Sequence, residues 1–175
     1  MGTALSWHTP LGKLTVRELV LFAVLGAMTF AAKYVMSFLP NIEPVSLCVM
    51  LYAVVFGKKW VYPVYLYVLM EILFYGISLW NINYLYIWAV LAVLAYCLRR
   101  MQGRLGWALL SGAFGLAFGA LCGIVDVFIG GWSYALTRWV SGIPFDIAHC
   151  AGNFFLALLL FVPLRRLLEK LYRKA

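Results

Sequence analysis

Long apolar runs, separated by short polar or glycine-containing breaks, dominate the hydropathy pattern along this chain. A helix needs about 20 apolar residues to cross the hydrocarbon core of a bilayer, and fewer where the bilayer thins. Six runs approach that length, and they predict membrane-spanning helices at about 15–39, 43–56, 60–77, 83–98, 105–129 and 143–168. The second and fourth runs are short, so we expect their helices to tilt little or to begin below the membrane surface.

The composition favours the same interpretation. The chain has 175 residues, of which 66% are hydrophobic and only 11% are charged. A soluble domain carries roughly 25% charged residues because its surface must face water. This chain has too few charges to cover itself and no polar stretch long enough for a separate soluble domain. We therefore expect one integral membrane domain over 1–175, folded as a compact all-α bundle of six transmembrane helices in the lipid bilayer.

Basic residues give an independent test of these spans. Twelve of the fourteen lysines and arginines lie at alternate breaks between the predicted helices. Such residues concentrate on the cytoplasmic side of membrane proteins. The pattern therefore predicts that both termini are cytoplasmic, and it explains the net charge of +8 without a nucleic-acid partner. The residues concerned are Lys13, Arg17, Lys58, Lys59, Arg99, Arg100, Arg104, Arg165, Arg166, Lys170, Arg173 and Lys174.

Most of the remaining charges map to the outer half of the membrane. An ionisable group inside the hydrocarbon costs about 2.5–3.5 kcal/mol on insertion scales, and such groups usually face a bundle interior or a wet cavity. We therefore expect a polar pocket that opens to the outside. Each residue taken alone also fits a salt bridge or a side chain that reaches the outer interface. The residues concerned are Lys33, Glu43, Glu71, Asp126, Arg138 and Asp146.

The last predicted span extends this pocket inward. In "SGIPFDIAHCAGNFF" (141–155), Asp146, His149 and Asn153 are spaced i, i+3, i+7, which places them on one face of a helix. Acids outnumber bases in the predicted pocket, so we expect a ligand with amine, amidine or ring N–H donors. Asp146 and His149 are plausible metal ligands, but no specific metal spacing occurs. We therefore expect no metal and no cofactor.

Aromatic residues flank the predicted outer loops. One interpretation is an interfacial belt, and the other is a wall or lid that stacks on a flat ligand. We take Trp80 and Asn83, beside the fourth span, as candidates for ligand binding. The aromatic residues concerned are Trp80, Tyr84, Tyr86, Trp88, Trp132, Tyr134 and Trp139.

The first span carries alanines at i, i+4, i+8, namely Ala23, Ala27 and Ala31. Small residues at this spacing let a second helix approach closely, which favours association in lipid. Lys33 lies about 200° around the helix from the stripe, so one face suits a partner and the other suits the pocket. Glycines recur at the same spacing at 115, 119 and 123, where we favour packing inside the bundle.

The sequence lacks the motifs of several enzyme classes. It has no phosphate-binding loop, no nucleophilic-serine motif, no H-E-x-x-H and no dinucleotide fingerprint. We therefore do not expect an enzyme, and the chain has no means of hydrolysing ATP by itself. Two alternatives stay open: an autonomous proton-coupled small transporter that uses the intramembrane acids, and a membrane enzyme acting on lipids through Asp146, His149 and Glu71.

Several of these features together resemble a known family. Six short spans with both ends inside, the alanine stripe of the first helix, "LPNIEPV" (39–45) and "GIPFDIAHCAGN" (142–153) resemble the substrate-binding S components of energy-coupling factor (ECF) vitamin transporters. The resemblance covers nearly the whole chain.

This resemblance implies a multi-pass protein of the bacterial plasma membrane that captures a vitamin or related micronutrient from outside. It also implies a transmembrane coupling subunit and two ABC-type ATPases as partners. By position, Ala23, Ala27 and Ala31 would dock on the coupling subunit, and the loop around Pro40–Pro44 would be a gate. We expect the segment 79–83 to help the gate enclose the ligand. The pocket residues rest on the charge argument above.

Overall fold

Helices make up nearly all of the chain that the structure describes. In this computed structural model, residues 14–39 and 42–173 are described, and these contain no β-strand. Lys13, Pro40, Asn41 and Lys174, which entered the sequence interpretation, lie outside the described residues. The helices are α1 (Val16–Val35), α2 (Val45–Phe56), α3 (Val61–Tyr75), α4 (Leu79–Cys97) and α5 (Arg104–Tyr172), with a 3₁₀ turn at Gly57–Trp60 between α2 and α3.

Four continuous helical stretches are long and apolar enough to cross a membrane in the part of the chain that is described. They are Val16–Val35, Val45–Tyr75, Leu79–Cys97 and Arg104–Tyr172. Two of them contain a glycine with a positive φ, 58° at Gly57 and 78° at Gly131. Because L-residues rarely adopt that conformation, these glycines mark points where the helix direction changes. The expectation of an all-helical membrane-type protein is confirmed at this level.

The long helix α5 folds back on itself at Gly131. Gly119 lies against Asp146, and Gly115 lies against the backbone of His149. Further from the break, the Trp107 ring stacks on Phe161 with centroids 4.3 Å apart. Contacting residues thus move toward the N-terminus on the first half of α5 as they move toward the C-terminus on the second half. The two halves of α5 therefore form an antiparallel hairpin, here called the α5 hairpin.

Helix α2 forms the centre of the bundle. Ten of its twelve residues are buried, and it packs mainly against α4 and the α5 hairpin. A helix that is apolar all round is expected to be buried on all sides. Helix α1 instead packs mainly on α3, and at Gly26 a Cβ atom would lie 2.8 Å from that of Leu66. The absence of a side chain at Gly26 allows this close approach.

Three of the differences between the helix boundaries and the predicted spans bear on the site described below; in addition, the last helix continues to Tyr172 instead of ending at 168. Helix α1 ends at Val35 instead of 39, because the next residues form tight turns with Ser37 N–H bonded to the Tyr34 carbonyl. Helix α4 begins at Leu79 instead of 83, because Ser78 and Asn81 form a capping box in which each side chain bonds the other's backbone. The short stretch before the fourth predicted span therefore forms the first turn of α4.

The third difference concerns 130–142, which we predicted to be an outer loop. This segment is helical apart from Gly131. Its hydroxyl groups bond to the helix itself, since Thr137 Oγ1 donates to the Ser133 carbonyl and Ser141 Oγ donates to that of Thr137, both at 2.8 Å. Arg138 therefore lies on a helix. The glycine pair at 130–131 predicts a break, and the chain does break at Gly131, but the segment after it is helical because its hydroxyl groups find partners within the helix.

A buried carboxylate joins three elements at the end of the bundle where α1 begins. Glu18 is 7% exposed, and its Oε2 accepts a bond from the backbone of Thr15 as part of a capping box. Its Oε1 lies 2.5 Å from Lys59 Nζ and 2.9 Å from the hydroxyl of Tyr172. We call this group the Glu18 cluster. It ties α1 to the 3₁₀ turn and to the last turn of α5.

Candidate functional site

A cavity of about 900 Å³ opens at the end of the bundle away from the Glu18 cluster. Its wall is built by α1, α3, α4, the α5 hairpin and the segment before α2. The volume lies within the range of roughly 300–1,000 Å³ that is usual for small-molecule sites. Eight of the ten residues predicted to bind ligand line it: Lys33, Glu43, Glu71, Trp80, Asp126, Arg138, Asp146 and His149.

One side of the cavity carries a charged cluster from α1, α3 and α4. Lys33 Nζ lies 2.7 Å from Glu71 Oε2 and donates to the Tyr84 hydroxyl at 3.0 Å. The ammonium also lies 4.9 Å from the centroid of the Tyr84 ring, a cation–π distance. Glu43 is close enough to interact electrostatically with both Lys33 and Glu71. The other carboxylate oxygen of Glu71 has no hydrogen-bond partner among the described residues.

The other side of the cavity belongs to the α5 hairpin. Asp146 is 6% exposed, and its Oδ1 accepts a bond from the Gly119 N–H at 3.0 Å. His149 is 3% exposed, with its ring 4.9 Å from that of Phe118 in an edge-to-face arrangement. Within the described ranges, Asp146 Oδ2 and His149 Nε2 have no hydrogen-bond partner. Two residues that line the cavity, one helical turn apart, thus each hold a buried polar atom without a hydrogen-bond partner.

A third charged pair spans the α5 hairpin close to its turn. Arg138 Nε lies 3.5 Å from Asp126 Oδ2, and Arg138 Nη1 donates to the Tyr134 hydroxyl at 3.2 Å. The Arg138 side chain is half exposed, whereas Asp126 is buried. This pair neutralises Asp126 at the rim of the cavity.

Two predicted site residues do not line this cavity. Asn153 is buried one turn deeper, where its amide donates to Ser46 Oγ at 3.0 Å and connects the α5 hairpin to α2. Asn83 Oδ1 lies 3.0 Å from the Tyr86 hydroxyl oxygen, and Asn83 borders a smaller recess of about 260 Å³. Asn153 lies on the same helical face as His149, as the periodicity predicts. It lies one turn deeper in the bundle than His149, however, and does not reach the cavity.

The outer aromatic residues divide into separate groups. Trp80, Tyr84 and Trp139 line the cavity, whereas Trp88 is fully buried in the core and Trp132 is 75% exposed. The hydroxyl of Tyr86 donates to the Leu121 carbonyl at 2.6 Å and so joins α4 to the α5 hairpin. Neither interpretation of these residues holds for the whole group.

Sequence reasoning missed several cavity residues, notably Phe118, Gly119 and Phe145. The glycine spacing predicts helix packing at Gly119, and Gly119 does pack closely, since a Cβ there would collide with the Asp146 carboxylate. A signal was available, because Gly115 and Gly119 predict a close partner helix, and the polar residues of that partner would then face Phe118. The packing prediction is confirmed for Gly115 and Gly119, while nothing lies within 4 Å of a Cβ at Gly123.

The alanine stripe lies on the outer surface of α1. Ala23, Ala27 and Ala31 are all exposed, whereas Phe22 and Phe30 on the opposite face are buried. The stripe is flanked by further exposed apolar residues, and Lys33 lines the cavity on the inner side. One helix thus presents a smooth apolar surface outward and a charge inward.

In the described residues, no group of three or more His, Cys, Asp or Glu side chains is arranged to hold a metal ion. Comparisons with protein-family models, with curated proteins and with solved structures found no match to this chain. The fold and the site define an all-helical protein with helices suited to a membrane and with a cavity at one end that charged and aromatic residues line.

Proposed function

We propose that this protein is the substrate-binding S component of an ECF-type importer in the bacterial plasma membrane. In this role it binds a vitamin-like small molecule and is not an enzyme. The α2–α3 stretch breaks at Gly57 and α5 breaks at Gly131, and we propose that the six resulting segments cross the membrane with both termini in the cytoplasm.

The cavity is the observation that carries this proposal. It is large enough for a vitamin-sized molecule, and three residues that line it, Glu71, Asp146 and His149, each hold a buried polar atom that lacks a partner in the described residues. Leaving such an atom unpaired costs about 1–3 kcal/mol, so a ligand that pairs with it is favoured. A structural ion-pair network would be expected to satisfy these atoms itself.

The position of the cavity supports an outward opening. Lys58, Lys59, Arg165 and Arg166 lie toward the end of the bundle that holds the Glu18 cluster, while the cavity lies at the other end. Basic residues concentrate on the cytoplasmic side. A ligand would therefore enter from outside and reach the cavity without first crossing the membrane.

The exposed alanine stripe supports a membrane partner. Ala23, Ala27 and Ala31 allow a second helix to approach α1 closely, and a transmembrane coupling subunit with two ABC ATPases would supply the energy that this chain has no motif to supply. We propose that the described part of the predicted gate, residues 42–44, helps to enclose the bound ligand, since Glu43 lines the cavity. The segment 79–83 is the first part of α4, so Trp80 covers the cavity from a helix.

The first experiment is to purify the chain alone in mild detergent, denature it and identify any released small molecule by mass spectrometry. We expect a stoichiometric vitamin-like compound, which should rebind to the emptied protein. An empty protein that also ignores a panel of vitamins and nucleobases would contradict the proposal. Proton flux in liposomes containing only this chain would instead support the autonomous transporter that uses the intramembrane acids.

A further inference from the structure

We infer that the ligand is a planar nitrogen heteroaromatic carrying an exocyclic amino or amidine group, held along its N–H edge by Asp146 and His149. This inference rests on the proposed binding function, because it describes the occupant of the same cavity.

The first step is the free oxygen of Asp146. Its Oδ1 is committed to the Gly119 N–H, and a Cβ at position 119 would collide with the carboxylate, so the group is held tightly against the hairpin. Oδ2 is buried against Gly119 and has no hydrogen-bond partner in the part of the chain that is described. A buried carboxylate oxygen requires a hydrogen-bond donor, and it repels a carbonyl or carboxylate. The group that meets Asp146 is therefore an N–H or O–H donor.

The second step is His149, one helical turn further into the bundle. Its Nε2 also lacks a partner among the described residues. Side chains three positions apart are neighbours on a helix, so Asp146 and His149 present two adjacent bonding positions. A neutral imidazole nitrogen donates or accepts according to its tautomer. An amino group beside a ring nitrogen satisfies this pair, with the amino group on Asp146 and the ring nitrogen on His149.

The third step is the shape of the surrounding wall. Phe118 contacts His149 edge to face, and Trp80 and Phe145 line the same cavity. Aromatic walls favour a flat ligand because stacked and edge-to-face contacts bury apolar area in a fixed geometry. A flexible aliphatic amine would satisfy Asp146 but would make poor use of these rings.

The fourth step is the charge balance. The two cationic side chains that line the cavity are each committed, Lys33 to Glu71 and Arg138 to Asp126. Asp146 has no ion pair within the described residues, so the hairpin side of the cavity attracts a donor-rich or cationic group. An anionic carboxylate or phosphate would have to displace one of the existing ion pairs.

Two matched pairs of probes test this class, adenine against hypoxanthine and cytosine against uracil. Each pair keeps the ring and replaces the amino group by a carbonyl. Titration of the emptied protein by calorimetry should show at least about tenfold tighter binding of the amino member in each pair, which is the effect of one well-placed hydrogen bond.

The variant Asp146→Asn sharpens the test. The Gly119 N–H retains the amide oxygen of the new side chain, which leaves its NH₂ where Oδ2 was. The preference should therefore reverse toward hypoxanthine and uracil, whereas a merely weakened protein would lose affinity for all four probes alike. Gly123→Ala is the control, because a Cβ there meets nothing within 4 Å and Gly123 does not line the cavity.

The outcomes separate this inference from the proposed function. Equal or tighter binding of the carbonyl probes by the unmodified protein overturns the ligand class. A co-purified compound without an aminated nitrogen heteroaromatic also overturns it, but leaves the protein a binding component. A protein that is empty as purified and binds none of the four probes contradicts both.

Discussion

The Lys33 ammonium of α1 lies 2.7 Å from Glu71 Oε2 of α3, and both side chains line the cavity. Glu71 is almost fully buried, while Lys33 keeps about a fifth of its side chain exposed. Helices α1 and α3 are also the pair that packs closely at Gly26. This ion pair therefore connects the helix that carries the exposed alanine stripe to the wall of the cavity.

Removing one partner of this pair should destabilise the protein. Glu71→Gln removes the carboxylate that bonds the largely buried Lys33 ammonium. Breaking a buried pair lowers the free energy of unfolding by about 3–5 kcal/mol, and we expect the lower end because Glu43 still interacts with Lys33. Lys33→Met leaves the Glu71 carboxylate unpaired and should have a similar effect. The measurement is unfolding in mixed micelles of mild detergent and sodium dodecyl sulfate.

The double variant Lys33→Met/Glu71→Gln provides the control for this first prediction. It removes both charges, so it should recover most of the stability lost by either single change. If the losses of the two single variants simply add, the two side chains do not interact and the ion pair has no role in stability.

The two halves of the α5 hairpin approach closely because Gly115 and Gly119 lack side chains. We expect Gly119→Ala to displace the Asp146 carboxylate, since the new Cβ would collide with it. The variant should lower ligand affinity by at least about tenfold and destabilise the protein by about 1–3 kcal/mol, as overpacking usually does. Calorimetric titration and unfolding in mixed micelles measure the two effects.

Gly123→Ala is the matched change on the same helix. Its Cβ meets nothing within 4 Å, so the gain in helix propensity should leave stability unchanged or raise it by up to about 1 kcal/mol. Equal losses at 119 and 123 would show that alanine is tolerated poorly throughout this helix and that contact with Asp146 is not the cause.

Much of this fold could be predicted from the lengths of the apolar runs in the sequence and from the polar or glycine-containing breaks between them. The centre of each helix agrees with a predicted span, since burial and lipid exposure both demand apolar residues there. The ends were predicted less well because they depend on local bonds. The capping box of Ser78 and Asn81 and the internal hydroxyl bonds of Thr137 and Ser141 make helix out of segments whose composition is typical of loops.

The site shows the same division. Charged residues in an apolar chain are costly, so their positions alone indicated Lys33, Glu71 and Asp146 as cavity residues. Phe118 and Gly119 line the cavity only because of the register between the two halves of the α5 hairpin. The helical periodicity of a single segment does not determine that register. Asn153 shares a helical face with His149, but α2 covers it through Ser46.

The Glu18 cluster should stabilise the end of the bundle opposite the cavity. Tyr172→Phe removes the hydroxyl that donates to Glu18 at 2.9 Å but keeps the ring that packs against Phe56. A hydrogen bond to a charged group contributes about 1.5–3 kcal/mol, and we expect a loss near the lower end because the carboxylate keeps Lys59. Ligand affinity should not change. Unfolding in mixed micelles and calorimetry report these separately.

Glu169→Gln is the comparison for this prediction. Glu169 pairs with Arg165 at 2.9 Å one turn away on the same helix, with both side chains partly exposed. Exposed pairs of this kind contribute about 0.3–0.5 kcal/mol. If Glu169→Gln lowers the free energy of unfolding more than Tyr172→Phe does, burial of Glu18 does not strengthen its hydrogen bonds.

The exposed alanine stripe of α1 should be needed for transport and not for binding. Ala27→Trp places a large ring on the outer face of α1, away from the cavity, so ligand affinity should stay within about twofold of the unmodified protein. Uptake by cells that also supply the coupling subunit and ATPases should fall by at least about tenfold, because a close helix–helix contact cannot form over the ring. Ala117→Trp, at an exposed position on α5, is the control and should leave uptake near its normal level. If Ala27→Trp lowers affinity and uptake equally, α1 acts through the cavity, and if uptake is unchanged, the partner docks elsewhere on the bundle.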